Sequence, residues 1–296
     1  MPDRRDLLSF ALLAAPALPA PAARAADDGR ADALRRGLAA LETRHGGRLG
    51  VAAVDGAGAP LASHRGDERF ALCSTFKCLA AAFVLARVDR GAESLDRRVR
   101  YGEDALVPYS PVTGRYAGAA GGLTVGELCD AAVTLSDNTA GNLLLDAFGG
   151  PPALTAWLRT LGDGASRLDR REPALNEAAP GDPRDTTTPA AMAATLRTLV
   201  LGSDALSPAS RERLAAWLVG CKTGGKRLRA GVPAGWRVGD KTGTGERNAT
   251  NDVAVLWPPG RAPLVVAAYY AEARAPEEER SAVLAEVGRL VAAAAS

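Results

Sequence analysis

The alternation of apolar and polar positions along the 296-residue chain predicts a sheet built from both ends of the sequence. Residues 28–45 have apolar positions at helical spacing and stop at a Gly-Gly pair, and 49–54 and 60–64 read as two strands joined by a glycine-containing turn. Near the C-terminus the pattern predicts three strands and a closing helix, over residues 236–244, 251–257, 264–271 and 277–294.

The middle of the chain is predicted to be helical. Thr124-Val125-Gly126-Glu127 is a capping box that opens a helix to about Leu135, and the prolines at 189 and 208 occupy first helical positions. Further helices are predicted over 139–147 and 152–161, and loops over 101–122 and 167–188. A charged, aperiodic loop as long as 167–188 usually has a function or is disordered.

These elements predict two lobes. Residues 26–66 and 222–296 are expected to form one sheet covered by the terminal helices, and residues 67–221 an all-helical lobe. The cleft between the lobes is the expected site.

The apolar run that follows Lys77 predicts a helix buried on all sides, with Ser74 and Lys77 on a shared face. Lysine is scarce, occurring only at 77, 222, 226 and 241 among 36 basic residues. A desolvated lysine can lose a proton and activate a hydroxyl, whereas arginine cannot. The ordinary alternative is that Ser74 caps the helix and Lys77 reaches solvent.

Three further groups are candidates for chemistry. Ser136-Asp137-Asn138 lies at a break between helices, Glu172 and Asn176 lie in the charged loop, and Lys241-Thr242-Gly243 begins a predicted inner strand. Taken singly, the first group is better explained as an Asx turn, and the alternatives for the second and third are a solvated charged loop and an exposed strand end. Arg170 and Asp185 could form an ion pair across the neck of the loop.

A second Lys-Thr-Gly triplet, at 222–224, lies in a glycine-rich connection and is predicted to be a loop. Residues 220–226 nearly spell a phosphate-binding loop, but Arg227 stands where a metal-binding Ser or Thr is required, and a helix precedes the segment. We therefore exclude nucleotide binding.

The composition narrows the range of expected partners and cofactors. The 36 basic and 34 acidic residues nearly cancel and form no basic patch, so nucleic acid is not expected. Two histidines and the cysteine spacing suit no metal, and no cofactor is expected. Among the four cysteines, Cys129 could approach Cys78, although free thiols are favoured.

The N-terminus predicts export. Residues 1–25 combine a charged start, an apolar run and an Ala-Arg-Ala cleavage site, which is typical of a signal peptide. Arg4 and Arg5 resemble a twin-arginine signal, the alternative being an ordinary Sec signal. We expect a periplasmic or secreted monomer without stable membrane association after cleavage.

In order and spacing, Ser-x-x-Lys, Ser-Asp-Asn, Glu-x-x-Leu-Asn and Lys-Thr-Gly resemble the motifs of class A serine β-lactamases, over the whole mature length. The resemblance implies an α+β fold (α/β sandwich), with an antiparallel sheet flanked by terminal helices plus an all-helical lobe. It also implies hydrolysis of penicillin- and cephalosporin-type antibiotics through a serine acyl-enzyme.

The resemblance implies residue roles. Ser74 is acylated, with Lys77 or Glu172 acting through a water as the base, and Ser136 protonates the leaving nitrogen. The backbone N–H groups of Ser74 and Thr244 bind the oxyanion. The expected substrate-binding residues are Asn138, Asn176, Lys241, Thr242, Gly243, Thr244, Arg227 and Tyr109, and Glu172 with Asn176 positions the deacylating water.

Departures from the family pattern qualify these roles. Thr250 stands where many members carry a carboxylate-binding arginine, and Arg227 resembles the substitute of another subgroup. Ala81 replaces the usual disulfide partner of Cys129, and Gly245 replaces the partner that some carbapenemases pair with the equivalent of Cys73. The alternatives are a serine DD-peptidase, which usually lacks an equivalent of Glu172, and a non-catalytic β-lactam sensor.

Overall fold

The structure is a computed structural model that describes residues 21–295. Its helices are α1 Pro21–His45, α2 Phe76–Asp89, α3 Val125–Thr134, α4 Asn138–Phe148, α5 Gly150–Thr160, α6 Pro189–Leu201, α7 Pro208–Val219, α8 Leu228–Gly231 and α9 Glu277–Ala294. Its strands are β1 Arg48–Asp55, β2 Pro60–His64, β3 Phe70–Ala71, β4 Arg98–Val99, β5 Leu123–Thr124, β6 Thr186–Thr187, β7 Arg237–Thr244, β8 Thr250–Trp257 and β9 Leu264–Ala271. The signal peptide expected at residues 1–25 falls mainly outside the described residues.

The main sheet has five strands in the order β2–β1–β9–β8–β7, and every neighbouring pair is antiparallel. The two N-terminal strands thus join the three C-terminal strands, with Val51 opposite both His64 on β2 and Ala268 on β9. The predicted antiparallel sheet and its five strands are confirmed.

The central strands are buried on both faces because side chains alternate between two cores. On β8, Val253 and Val255 pack with the helical part of the molecule, whereas Ala254 and Leu256 pack towards α1 and α9. Such strands read as nearly continuous apolar runs, which is the pattern in the sequence.

Helix α2 is the centre of the helical part. Residues from Phe76 to Ala86 are buried, apart from the partly exposed Phe83, as its apolar sequence predicted. Ser74 belongs to a 3₁₀ turn, Cys73–Thr75, that leads directly into α2. The capping box predicted at Thr124 and Glu127 is present at the start of α3.

The charged loop over residues 167–188, called the Glu172 loop below, is closed at its neck. Arg170 Nε lies 2.6 Å from Asp185 Oδ2, and Asp185 Oδ1 accepts from the backbone N–H groups of Asp169 and Arg170. The ion pair predicted from the sequence is confirmed, and the loop also contains a 3₁₀ turn, Ala174–Asn176.

The lobe boundaries stay a prediction. Helices α6 and α7, in the predicted helical lobe, pack on β9 and β7 of the sheet, so the two parts share an extensive contact. Among the described helices, none has the length and apolar character needed to cross a bilayer.

Candidate active site

The 3₁₀ turn and the start of α2 bring Ser74 and Lys77 together. Lys77 Nζ lies 2.9 Å from Ser74 Oγ, and also donates to the backbone oxygen of Ser136 at 2.8 Å and to Asn138 Oδ1 at 2.5 Å. The lysine side chain is fully buried. The structure therefore rules out the alternative in which Lys77 extends to solvent.

Glu172 contacts the same two residues. Its Oε1 lies 3.1 Å from Ser74 Oγ and 3.0 Å from Lys77 Nζ, while Oε2 accepts from Asn176 Nδ2. The backbone N–H and C=O of Glu172 are both bonded by the side-chain amide of Asn142, at 2.9 Å each. The loop thus delivers a fixed carboxylate to the serine, and the Glu172–Pro173 bond is cis, a form that is essentially confined to X–Pro sequences.

Burial lowers the pKa of Lys77 from 10.5 to about 8, because the charged form loses its hydration. Glu172 opposes this effect, and Lys241 adds to it through charge repulsion. Burial likewise lowers the pKa of Lys241. Lys77 thus has an appreciable neutral fraction near neutral pH and can accept a proton.

Ser136 lies between the two buried lysines. Its Oγ is 3.0 Å from Lys241 Nζ and 3.5 Å from Lys77 Nζ. The break between α3 and α4 positions it, since Asp137 caps α4 and accepts from the backbone N–H and side-chain hydroxyl of Thr113. The hydroxyl is therefore placed to exchange a proton with either amine.

Strand β7 forms the opposite wall. Lys241 points inward, and Thr242 and Thr244 line the cavity. A Cβ on Gly243 would lie 3.0 Å from the Leu72 oxygen and 3.2 Å from Cys73 Cβ. Glycine here allows the strand to pack closely against the turn that carries Ser74.

Arg227 lies at the end of this wall. Its Nη1 donates to the backbone oxygens of Gly243 at 2.9 Å and Asn251 at 2.7 Å, and its Nη2 to Thr244 Oγ1 at 2.8 Å and Glu277 Oε1 at 3.2 Å. The cavity beside it is about 370 Å³ and is lined by Ser74, Tyr109, Ser136, Asn138, Asn176, Thr223, Arg227, Thr242, Thr244 and Glu277.

Comparison with known proteins identifies the family. A model of the "Beta-lactamase enzyme family" matches residues 33–295. β-Lactamases AST-1 of Nocardia asteroides and L2 of Stenotrophomonas maltophilia are each 52% identical to the chain over 254 residues, which is 86% of this chain and 81% and 83% of theirs. A solved ancestral class A β-lactamase (GNCA) is 67% identical, with a TM-score of 0.86, and the match covers 88% of this chain and 99% of that one. The chain belongs to the class A β-lactamase family.

The structure shows the surroundings of two positions, 250 and 245, at which this β-lactamase departs from the family pattern. Thr250 accepts a hydrogen bond from Arg280 Nε at 2.8 Å and is fully buried. A Cβ on Gly245 would lie 2.6 Å from Cys73 Sγ, so the two positions are direct neighbours. All four cysteines are free and buried, which agrees with the preference for free thiols.

The remaining predicted residue, Tyr109, lies at the rim. It is 59% exposed, has a left-handed backbone φ of 64°, and its carbonyl accepts from the backbone N–H of Asn138 at 3.0 Å. Every side chain predicted for the site therefore lies in or directly beneath one cavity.

The sequence interpretation missed three residues of this β-lactamase. Thr223, in the triplet set aside as a loop, is indeed in a loop, but its Oγ1 lies 2.5 Å from Thr242 Oγ1. Glu277 was interpreted only as an acid at a helix start, and Asn142 was not considered. No sequence pattern distinguishes these residues, because tertiary contacts alone bring them to the site.

A separate cavity of about 390 Å³ lies between the Glu172 loop and the β7–β8 hairpin, with Phe70, Pro180 and Arg247 among its lining residues. It contains none of the reactive side chains described above, so size alone does not locate the active site.

Proposed function

We propose that this β-lactamase opens the amide bond of penicillin- and cephalosporin-type β-lactams through an acyl-enzyme on Ser74, and so gives resistance to them. One observation carries the proposal: Ser74 Oγ lies 2.9 Å from Lys77 Nζ and 3.1 Å from Glu172 Oε1. A weak nucleophile is thus in contact with two groups able to take its proton.

Acylation begins when Ser74 Oγ attacks the lactam carbonyl. Lys77, with its pKa lowered to about 8, or Glu172 through a water removes the hydroxyl proton. Both groups are within reach of Ser74, so both assignments stay open. The backbone N–H groups of Ser74 and Thr244 stabilise the oxyanion as preorganised donors.

Breaking the C–N bond requires a proton on the departing ring nitrogen. Ser136 delivers it, and is replenished by Lys77 or Lys241, whose Nζ atoms lie 3.5 and 3.0 Å from its Oγ. If Lys77 is the base, the two amines and one hydroxyl form the proton path from Ser74 to the leaving group.

Hydrolysis of the ester completes the cycle. Glu172 and Asn176, which are hydrogen-bonded to each other, position and activate the water that attacks the acyl carbonyl. This step supports a hydrolase over the DD-peptidase and sensor alternatives, because neither requires a carboxylate beside the acylated serine.

The other predicted residues bind the substrate. Lys241, Thr242, Thr244 and Arg227 hold its carboxylate, with Gly243 letting β7 lie against the serine turn. Asn138 receives the side-chain amide, and Tyr109 covers the ring from the rim. A β-lactam is the only partner proposed, and a monomer suffices because one chain supplies the whole cavity.

We also propose export. Residues 1–25 act as a signal peptide, and the paired Arg4 and Arg5 favour the twin-arginine route to the periplasm or medium. Changing both arginines to lysine should leave precursor in the cytoplasm if this route is used, and a Sec signal would still be processed.

The enzymatic proposal is tested by incubating purified mature protein with benzylpenicillin, a cephalosporin and a carbapenem. We expect many turnovers per molecule with at least one substrate, and none for Ser74→Ala. A single stoichiometric acylation without turnover would instead identify a β-lactam-binding protein.

A further inference from the structure

Glu277, the first residue of α9, borders the substrate cavity. Its side chain is 60% exposed, and its Oε1 lies 3.2 Å from Arg227 Nη2. The carboxylate therefore stands directly beside the cation to which we assign the substrate carboxylate.

Arg227 is held in place independently of Glu277. Its Nη1 is bonded to the backbone oxygens of Gly243 and Asn251, and its Nη2 also bonds Thr244 Oγ1. Because β7 and β8 take three of the four Nη hydrogens, the guanidinium does not need the exposed acid for its orientation. Glu277 contributes mainly a negative charge to the rim of the cavity.

The covalent structure of a cephalosporin determines which of its groups lies next to the Glu277 carboxylate. Ring carbon C4 carries the carboxylate, and the adjacent carbon C3 carries the variable substituent. A C4 carboxylate bound by Arg227 and Thr244 therefore brings the C3 substituent to the same end of the cavity, next to Glu277.

We propose that Glu277 is a specificity-determining residue that favours cephalosporins with a cationic C3 substituent over those with a neutral or anionic one. This inference rests on the proposed function, because it assumes that Arg227 binds the C4 carboxylate. A cationic group at C3 gains attraction to Glu277, whereas an anionic group is repelled by it.

The experiment uses two cephalosporins with the same acyl side chain, one with a pyridiniomethyl group at C3 and the other with acetoxymethyl. The readout is the ratio of kcat/KM for the cationic to the neutral compound, in which effects common to both cancel. Glu278→Gln is the matched control, because Glu278 is the adjacent residue on α9, is 81% exposed and pairs with Lys226 rather than Arg227.

We expect the ratio to fall about two- to fivefold in Glu277→Gln, as for an exposed ion pair, and further in Glu277→Lys. It should stay at the wild-type value in Glu278→Gln. Raising salt from about 0.05 to 0.5 M should lower the wild-type ratio and leave that of Glu277→Gln nearly constant, because salt screens exposed charges.

An unchanged ratio in both Glu277 variants, or an equal fall in Glu278→Gln, would overturn the inference. These results are distinct from failure of the proposed function, in which the wild-type protein would hydrolyse neither cephalosporin. Benzylpenicillin, which has no C3 substituent, tests the control for general damage: its kcat should remain at the wild-type value in Glu278→Gln, whose side chain pairs with Lys226 outside the cavity.

Discussion

Lys77 combines complete burial with contacts to Ser74, Ser136, Asn138 and Glu172, and each of these groups can accept a hydrogen bond from an ammonium. Burial favours the neutral amine and the Glu172 carboxylate favours the cation. The balance leaves the group able both to take and to return a proton, and a permanently charged side chain cannot do this.

Lys77→Arg should therefore lower kcat/KM for benzylpenicillin by about 10²–10⁴-fold, the usual contribution of a positioned general base. Because arginine keeps the positive charge at this position, the fall in kcat/KM would be due to the lost proton transfer. Lys226→Arg, on the surface beside Glu278, should keep wild-type activity. Wild-type-like turnover by Lys77→Arg would mean that only the charge matters at this position.

Glu172→Ala should accumulate an acyl adduct on Ser74, visible by mass spectrometry as the added mass of the penicillin, because the deacylating water loses its base. Its acylation rate should rise with pH if Lys77 is the base. Since Glu172 raises the pKa of Lys77, its removal should move the midpoint of this rise below about 8. Rapid turnover would remove Glu172 from the mechanism, and Ser74→Ala should form no adduct.

Arg227→Ala should raise KM about 10- to 150-fold for substrates with a free carboxylate, which corresponds to about 1.5–3 kcal/mol, the range for a hydrogen bond to a charged group. Its kcat should change little, because the guanidinium does not contact Ser74 or Glu172. An ester of the same substrate provides the control and should respond weakly to the substitution. Equal effects on acid and ester would place the anion site elsewhere.

At the scale of elements, the Glu172 loop depends on its neck. Asp185 is fully buried and is neutralised by Arg170, and the neck fixes where the loop can present its glutamate. The loop is thus a functional element held by polar contacts at its neck and by Leu168 and Leu175, which are buried in the core.

Arg170→Ala should destabilise the protein by about 1–3 kcal/mol, because a buried carboxylate loses its partner but keeps two backbone donors. Deacylation should slow more than acylation, since Glu172 belongs to the loop and Ser74 does not. Thermal unfolding and burst kinetics measure the two effects. Arg184→Ala, which breaks the exposed pair with Asp182, should have little effect on either quantity.

The elements that the sequence predicted well are those with local signals. Thr124 and Glu127 cap α3 through contacts within one turn, and the apolar runs of β8 and β9 define buried strands. The 3₁₀ turn at Ser74 was not predicted, because Cys73 has a left-handed φ of 44° that its residue type does not favour. Glu277 was missed for another reason: it reaches Arg227 only when α9 packs on the sheet.

At the scale of the whole molecule, two cores on opposite faces of one sheet hold the active site without a covalent crosslink. Cys78 and Cys129 belong to the core on the helical face of the sheet, and all four thiols are buried and unpaired. Stability should therefore be independent of redox conditions, which is consistent with the proposed twin-arginine export, because that route requires folding in the reducing cytosol.

The reactivity of the four thiols tests whether they are free. Burial raises the pKa of Cys73 and of Cys78 to about 12 each, and also raises the pKa of Cys129 and Cys221, so the reactive thiolate is suppressed at neutral pH. Ellman's reagent should react with none of the thiols in the native mature protein and with all four after denaturation without reductant. The melting temperature should be the same with and without dithiothreitol. Two reactive thiols after denaturation, together with a lower melting temperature in dithiothreitol, would reveal a disulfide and contradict the free-thiol assignment.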